Sequence, residues 1–386
     1  MPIEKKIDRN SPKVLIISPY PVIPPDTGAK IRIYELAHGI SVNGIKVKIL
    51  VPISPTQYCR KRINRNLTID VVPYPFVIPF LLTDKPFSYM YLISLHPWYR
   101  FFIKKHLENH DIIQFEQASF GDIVDHIPGN KTVVYDAHNV EAEYVASECR
   151  YQWTEKISTR RIFNLENNIV QRADQILACS ENDAKKICDI YGTLENKLKI
   201  IHNGIHIDGP ARQCNIDYIK RKFPKLLGYK SIAIFSGSDV AHNRSAVRFI
   251  MESIATKLRR QCAFVLKGQC SRRFQNHKLE NVFLDPVPGN VSSYSNICTV
   301  ALNPIFQGSG TSLKVLDYLA NGLPVITTEF GMRGYEDLKS FVTLSDENSF
   351  AQKILEKPKF LPATLDAIRK YTWESAVTTL KNIYNQ

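Results

Sequence analysis

A chain of 386 residues, 44% hydrophobic and 23% charged, has the composition of a soluble globular protein and the length for two domains. Its net charge of +13, concentrated in residues 206–386, suits a polyanionic small ligand or an anionic membrane. No recognition-helix, zinc-finger or RNA-stacking motif supports a nucleic-acid partner. The polar stretch Met1–Asn10 does not read as a secretory signal, and Val71–Leu82, broken by Pro73, Pro75 and Pro79, is too short to span a bilayer. Eight cysteines without paired spacing read as free thiols in a reducing cytoplasm, the expected compartment.

In chain order, strands and helices alternate in two series. The apolar run Lys13–Ser18 predicts a strand, followed by a loop over Pro19–Thr27 and a helix from Gly28 to Val42. Further strands are predicted at Lys46–Val51, Ile112–Phe115, Thr132–Tyr135, Gln175–Ala178 and Leu198–Ile201, with helices between several of them. Ser180 before Glu181 and Asp183 predicts a capped helix start. The second series opens with a strand at Ser231–Phe235. It continues with a helix near Asn243–Leu258 and strands at Ala263–Lys267, near Val282 and near Val300. The alternation predicts an α/β protein with two Rossmann-like, doubly wound domains, 1–205 and 206–365. A terminal segment, 366–386, carries a helix expected to pack back on the first domain. Ligands in such sheets bind beyond the carboxyl ends of strands, so the expected site is a cleft faced by both domains.

Four loops after strands hold the candidate site residues. In Pro24–Arg32, Gly28 opens a helix whose free amides can hold a phosphate, with Lys30 and Arg32 nearby. This loop lacks the dinucleotide glycine spacing and the Walker lysine. In Tyr135–Glu141, His138 at a strand end can donate to a sugar hydroxyl or exchange a proton; a structural histidine is the alternative. Phe235–Arg244 offers Gly237, Asn243 and Arg244 to a phosphate. The most informative loop is Gly308-Ser-Gly-Thr-Ser-Leu-Lys-Val-Leu-Asp317, which leads through a helix, the stop Asn321-Gly322 and a buried strand at Leu323–Thr327. Gly308, Ser309, Gly310 and Thr311 open the backbone at a helix start, where amides favour an anion. Lys314 reaches the same anion from the first turn. Asp317, one turn on, is placed to accept hydrogen bonds from ribose hydroxyls. An ordinary capped helix start is the plainer reading of the same residues.

With these loops in this order, the chain resembles the GT-B fold, retaining glycosyltransferases of the large nucleotide-sugar-dependent family that includes bacterial mannosyl- and glucosyltransferases (group 1, family 4). The resemblance rests on Gly28, Asp136-Ala-His138-Asn139, Ile201-His-Asn-Gly204, Phe235–Asn243, Gly308–Val325 and Tyr371-Thr-Trp-Glu374, and spans nearly the whole chain. It implies a hexosyltransferase without a bound metal or resident cofactor, using a UDP- or GDP-linked sugar as co-substrate. The donor diphosphate would be held by Gly28, Arg244, Lys314 and main-chain amides. His138 would contact the transferred sugar, and Asp317 would bind the ribose where glutamate is usual. The family's other acidic residue, eight positions earlier, falls here on Ser309, a departure that leaves no carboxylate at the sugar.

The acceptor is expected to be a glycan, a lipid-linked glycan or another hydroxyl compound. Aromatic residues Phe76, Phe80, Tyr89, Trp98 and Phe101, with Arg60-Lys-Arg62, Lys104 and Lys105, suit peripheral association with the inner face of a membrane. A core helix with a solvated basic face is the alternative. Two other functions fit the architecture. One is a nucleotide-sugar epimerase, disfavoured by the few acidic residues in these loops. The other is a binding or partner subunit that has lost the chemistry, which Ser309 leaves open.

Overall fold

Runs such as Val14-Leu-Ile-Ile17, buried to within 2% exposure, lack polar alternation and so require cover on both faces. That is the signature of a parallel strand inside an α/β layer. In the computed structural model, which describes residues 11–53, 59–73, 97–148, 152–207, 216–289, 291–308 and 310–386, fourteen strands form two sheets. The chain divides into a unit of residues 1–203 with 373–386 and a unit of residues 204–372.

The first unit contains β1 (Lys13–Ile17), β2 (Lys46–Ile53), β3 (Cys59–Arg62), β4 (Leu67–Pro73), β5 (Ile112–Glu116), β6 (Thr132–Ala137), β7 (Gln175–Ala178) and β8 (Leu198–Ile200). Their order across the sheet is β3-β4-β2-β1-β5-β6-β7-β8, and only the β3–β4 pair is antiparallel. The sequence pattern did not foresee β3 and β4. Arg60-Lys-Arg62 is expected on a basic membrane-facing surface, but Arg60 Nε lies 2.7 Å from the buried Asp70 Oδ1 and Lys48 Nζ lies 3.2 Å from Oδ2. Burial alone would raise the Asp70 carboxyl, yet its bonds to Arg60 and Lys48 hold it below the usual range.

The final helix, Trp373–Tyr384, belongs to this unit and presents Trp373, Ala376, Val377, Leu380, Ile383 and Tyr384 as one apolar stripe. It packs with Ile33, Leu36 and Ile40 of the Gly28–Val42 helix. A methyl group at Gly39 would come within 2.3 Å of Val377 Cγ2, so that crossing needs glycine.

The second unit contains β9 (Ile232–Ser236), β10 (Ala263–Lys267), β11 (Val282–Asp285), β12 (Val300–Asn303), β13 (Val325–Thr327) and β14 (Thr343–Leu344). All are parallel, in the order β11-β10-β9-β12-β13-β14. The helix after β9 runs over Ala241–Phe249 and continues through a π-helical turn at Ile250–Ala255.

Strand order reverses beside β1 in the first sheet, between β2 and β5, and beside β9 in the second, between β10 and β12. In such sheets the loops leaving the switch point diverge and open a crevice beyond the carboxyl ends of the strands. Both groups of functional candidates sit there.

Candidate functional site

In the first unit, β1 ends at Ile17, β5 at Glu116 and β6 at Ala137. Three side chains meet beyond them. His138 Nε2 lies 2.7 Å from Glu116 Oε2 and 3.8 Å from Asp136 Oδ2, and its Nδ1 is 3.5 Å from the Tyr20 hydroxyl. Tyr20 is set by Ser18, whose hydroxyl donates to the Tyr20 carbonyl at 2.7 Å. Glu116 and Asp136 are fully buried and would repel each other if left alone. Arg32 resolves this. Its guanidinium donates to both oxygens of Asp136 at 2.8 to 3.1 Å, and its Nη1 donates to the Ile201 carbonyl and to Asn203. Burial works against the Arg32 charge, but Asp136 outweighs it and holds the guanidinium even more firmly protonated than usual. Burial and Asp136 together push the Glu116 carboxyl up, while its bond to His138 pulls the other way.

Arg32 is therefore a buried strut and not the phosphate ligand that its place after Gly28 suggested. Gly28 opens the helix as expected, and Thr27 before it makes no side-chain cap. Lys30 is paired with Asp26 at 2.8 Å. Glu116, Asp136 and His138 have donor atoms within 4.8 Å of one another, the spacing of a metal site. The guanidinium bound across Asp136 already supplies the positive charge, and a divalent ion beside it would meet its repulsion.

In the second unit, Lys314 stands in the first turn of the Leu313–Ala320 helix. Its Nζ donates to Asn243 Oδ1 at 2.6 Å and lies 5.0 Å from the centre of the Phe235 ring. No ion pair holds it among the described residues. Burial pulls its pKa down to about 7, opposed in part by Cys270 and assisted to a lesser extent by Arg333. His242 shares the region. Burial and the charges of Lys314, Arg333 and Arg244 lower it to about 4, and its Nδ1 is buried without a hydrogen-bond partner.

Gly308, with φ of 136°, closes the group: a methyl there would lie 3.1 Å from His242 Nδ1 and 3.5 Å from Arg333 Nη2. Gly310 is also left-handed, with φ of 67°, and Ser312 N–H donates to the Arg333 carbonyl at 3.3 Å. Gly237 allows Asn243 to approach, because a methyl at Gly237 would come within 2.8 Å of the Asn243 amide. The structure thus gathers Gly237, Asn243, Gly308 and Lys314 into one group, with Gly310 and Thr311 in the adjoining loop. Ser309 lies outside the described residues.

Two expected ligands are placed differently. Arg244 turns to Asp239, 2.8 Å away, and Arg273 approaches the same carboxylate at 3.4 Å. The bonds from Arg244 hold Asp239 below the usual carboxylate range, despite partial burial. Asp317 accepts from the Val291 amide at 3.3 Å and from Asn321 at 3.2 Å, which ties the helix to the loop after β11.

Sequence reading missed Glu116, His242 and Arg333. Glu116 was visible as an acid at the end of a buried strand, and Arg333 as a cation between Gly331 and Gly334 just after one. Both are positions where an α/β sheet places ligands. His242 was quoted within its loop but gave no signal apart from its neighbours.

Residues 27–208 match the family model described as Glycosyltransferase Family 4, and residues 230–357 match Glycosyl transferases group 1. No curated protein matches the chain by sequence. Among solved structures, sucrose-phosphate synthase from Thermosynechococcus elongatus is similar at 13% identity and a TM-score of 0.73, covering 97% of this chain and 98% of its own. Trehalose-6-phosphate from E. coli, bound with UDP-2-fluoro glucose, is similar at 11% identity and a TM-score of 0.69, covering 97% and 99%. WaaG, a glycosyltransferase involved in lipopolysaccharide biosynthesis, is similar at 18% identity and a TM-score of 0.60, covering 97% and 95%. At these identities the likeness establishes the GT-B fold.

Proposed function

The chain belongs to the family 4, group 1 glycosyltransferases, and from that premise we propose that it transfers a hexose from a UDP- or GDP-linked donor to a hydroxyl acceptor with retention of configuration. The observation that carries this reading is the group of basic side chains at the second switch point. Arg333 and His242 flank Gly308, Lys314 acts on His242, and Lys314 is held by an amide and not a carboxylate. Such a group costs stability in the free protein and is offset by a bound dianion, as a diphosphate would be. Amides of Gly310 and Thr311 at the helix start would add hydrogen bonds to it. The solved E. coli relative carries a UDP-sugar, in keeping with such a donor.

As the sugar–phosphate bond loosens toward an oxocarbenium-like state, charge accumulates on the leaving diphosphate. Lys314 and Arg333 are preorganised to stabilise it, and the leaving phosphate would take the acceptor's proton. His138 would hold a hydroxyl of the transferred sugar. Because basic side chains neutralise the diphosphate, transfer should survive a chelator such as EDTA. Asp317, tied to the loop after β11, would turn toward the ribose only by exchanging those bonds.

For the acceptor, the Pro97–Leu107 helix exposes Trp98 at 54% and Phe101 at 58%, with Lys104 and Lys105 in its last turn. This face suits an anionic bilayer and a lipid-linked acceptor. Phe76, Phe80 and Tyr89 lie outside the described residues, and Arg60 is spent on Asp70. No helix among the described residues is long and apolar enough to cross a membrane.

The test is thermal stabilisation by UDP-, GDP- and ADP-sugars, with and without magnesium, followed by a transfer assay that scores the anomeric product. Stabilisation by one nucleotide and retained anomeric configuration are expected. No stabilisation by any of them at millimolar concentration would return the chain to the binding-subunit reading. Sedimentation with anionic vesicles at low salt, abolished in Trp98→Ala with Phe101→Ala, checks the membrane face.

A further inference from the structure

Behind His138 a line of buried hydrogen bonds runs back to the last helix. The Tyr384 hydroxyl donates to Gln114 Oε1 at 2.5 Å, and Gln114 Nε2 donates to Glu116 Oε1 at 2.7 Å. Glu116 Oε2 meets His138 Nε2 at 2.7 Å, and His138 Nδ1 faces Tyr20. Tyr384, Gln114, Glu116 and His138 are all buried. A fully satisfied polar chain in a low-dielectric interior holds one arrangement firmly, since any break leaves a buried group unpaired.

The chain has two possible senses. In one, protons point from Tyr384 toward Glu116, which then accepts on both oxygens and receives the Nε2 proton of His138. In the other, a protonated Glu116 donates to Nε2 and the histidine proton moves to Nδ1. Two features select the first. The buried Tyr384 hydroxyl keeps its proton, so Gln114 offers it the oxygen and turns the amide toward Glu116. The Arg32 guanidinium, bound across the neighbouring Asp136, offsets part of that carboxylate's push on Glu116, and the bond to His138 favours the ionised form.

We propose that Glu116 is a positioning residue for His138, and that Gln114 and Tyr384 fix the sense of its hydrogen bonds. His138 then carries its proton on Nε2 and presents Nδ1 as an acceptor, so the group it recognises must be a hydroxyl that donates. Tyr20 provides that donor in the free protein. This rests on the reading that His138 faces the transferred sugar, and it makes the last helix part of the catalytic apparatus.

The test combines nitrogen-15 spectroscopy of the histidine rings with kinetics on the full chain. The His138 signal is assigned by its loss in His138→Gln. In the wild-type protein a proton-bearing Nε2 and a lone-pair Nδ1 are expected; a proton on Nδ1 overturns the proposal. Glu116→Gln should lower kcat by about 10- to 100-fold, the size found when groups orienting metal-bound histidines are removed, with KM for the nucleotide sugar changed by less than about threefold. Tyr384→Phe should lower kcat by about 2- to 10-fold, as for one hydrogen bond, and mix the two ring forms. Unchanged ring signals and unchanged kcat in both variants would defeat the idea. If Glu116→Gln fails to fold, Tyr384→Phe decides. If no donor supports transfer, the functional reading fails, while the ring signals of wild type and Tyr384→Phe still judge the relay.

Discussion

The two switch points solve opposite electrostatic problems. Beyond β1 and β5, two buried carboxylates are met by one guanidinium and a histidine, with partners supplied from within the unit. Beyond β9 and β12, basic side chains gather near Gly308, and burial pulls Lys314 and His242 down, while Asp239 is engaged with Arg244 and Arg273. The first region pairs its charges internally; on the proposed function, the second is completed by an anion. A preorganised site shows this kind of unfinished charge, whereas a structural ion pair does not.

The comparison breaks most visibly at Arg32. Arg32→Met leaves Asp136 buried without its counter-charge and should cost about 3–5 kcal/mol of stability, measured by urea unfolding. If stability holds within 1 kcal/mol or so, the first region is not the closed ion pair described. Lys314→Met should do the reverse. Transition-state stabilisation should fall by about 2.7–4 kcal/mol, read as a roughly 100- to 1000-fold loss in kcat. Its unfolding free energy should not fall, because the buried ammonium is unfavourable in the free protein.

Gly237→Ala sharpens the second region more finely. The added methyl meets the Asn243 amide and should cost about 1–3 kcal/mol through overpacking, with weaker nucleotide affinity because Asn243 positions Lys314.

The smallest expected effect is on pH. Lys314, lowered from 10.5 to about 7, binds fewer protons in the folded than in the unfolded state between those values. Stability should therefore rise with pH through that window. His242, lowered from 6.5 to about 4, adds the same sign between pH 4 and 6.5. A bound diphosphate reverses the balance by favouring the charged lysine, so donor affinity should fall as pH rises above 7, by up to about tenfold per unit for one proton taken up. Calorimetry with a nucleotide sugar in two buffers of different ionisation enthalpy measures that proton; none taken up would mean that Lys314 is already charged in the free protein.

Much of this was legible in the chain itself. Apolar runs marked β1, β7 and β10 because parallel strands buried on both faces cannot carry polar alternation. Glycines around Thr311 marked a helix start, and Gly308 and Gly310 do adopt left-handed backbone there. The edge strands β3 and β4 were not legible, since Asp70 draws Arg60 and Lys48 into a register that only the sheet provides. Arg32 and Lys30 looked alike as cations after Gly28, yet one is a buried strut and the other a surface pair.

The sequence by itself determined the alternating α/β architecture, the helix starts and the loops that follow strands, because periodicity and backbone freedom are local properties. Only the tertiary structure decided which charges are spent and which are kept. That depends on partners more than a hundred residues apart, such as Arg32 with Asp136 and Tyr384 with Gln114, and on burial, which sets whether a lysine or a carboxylate keeps its charge.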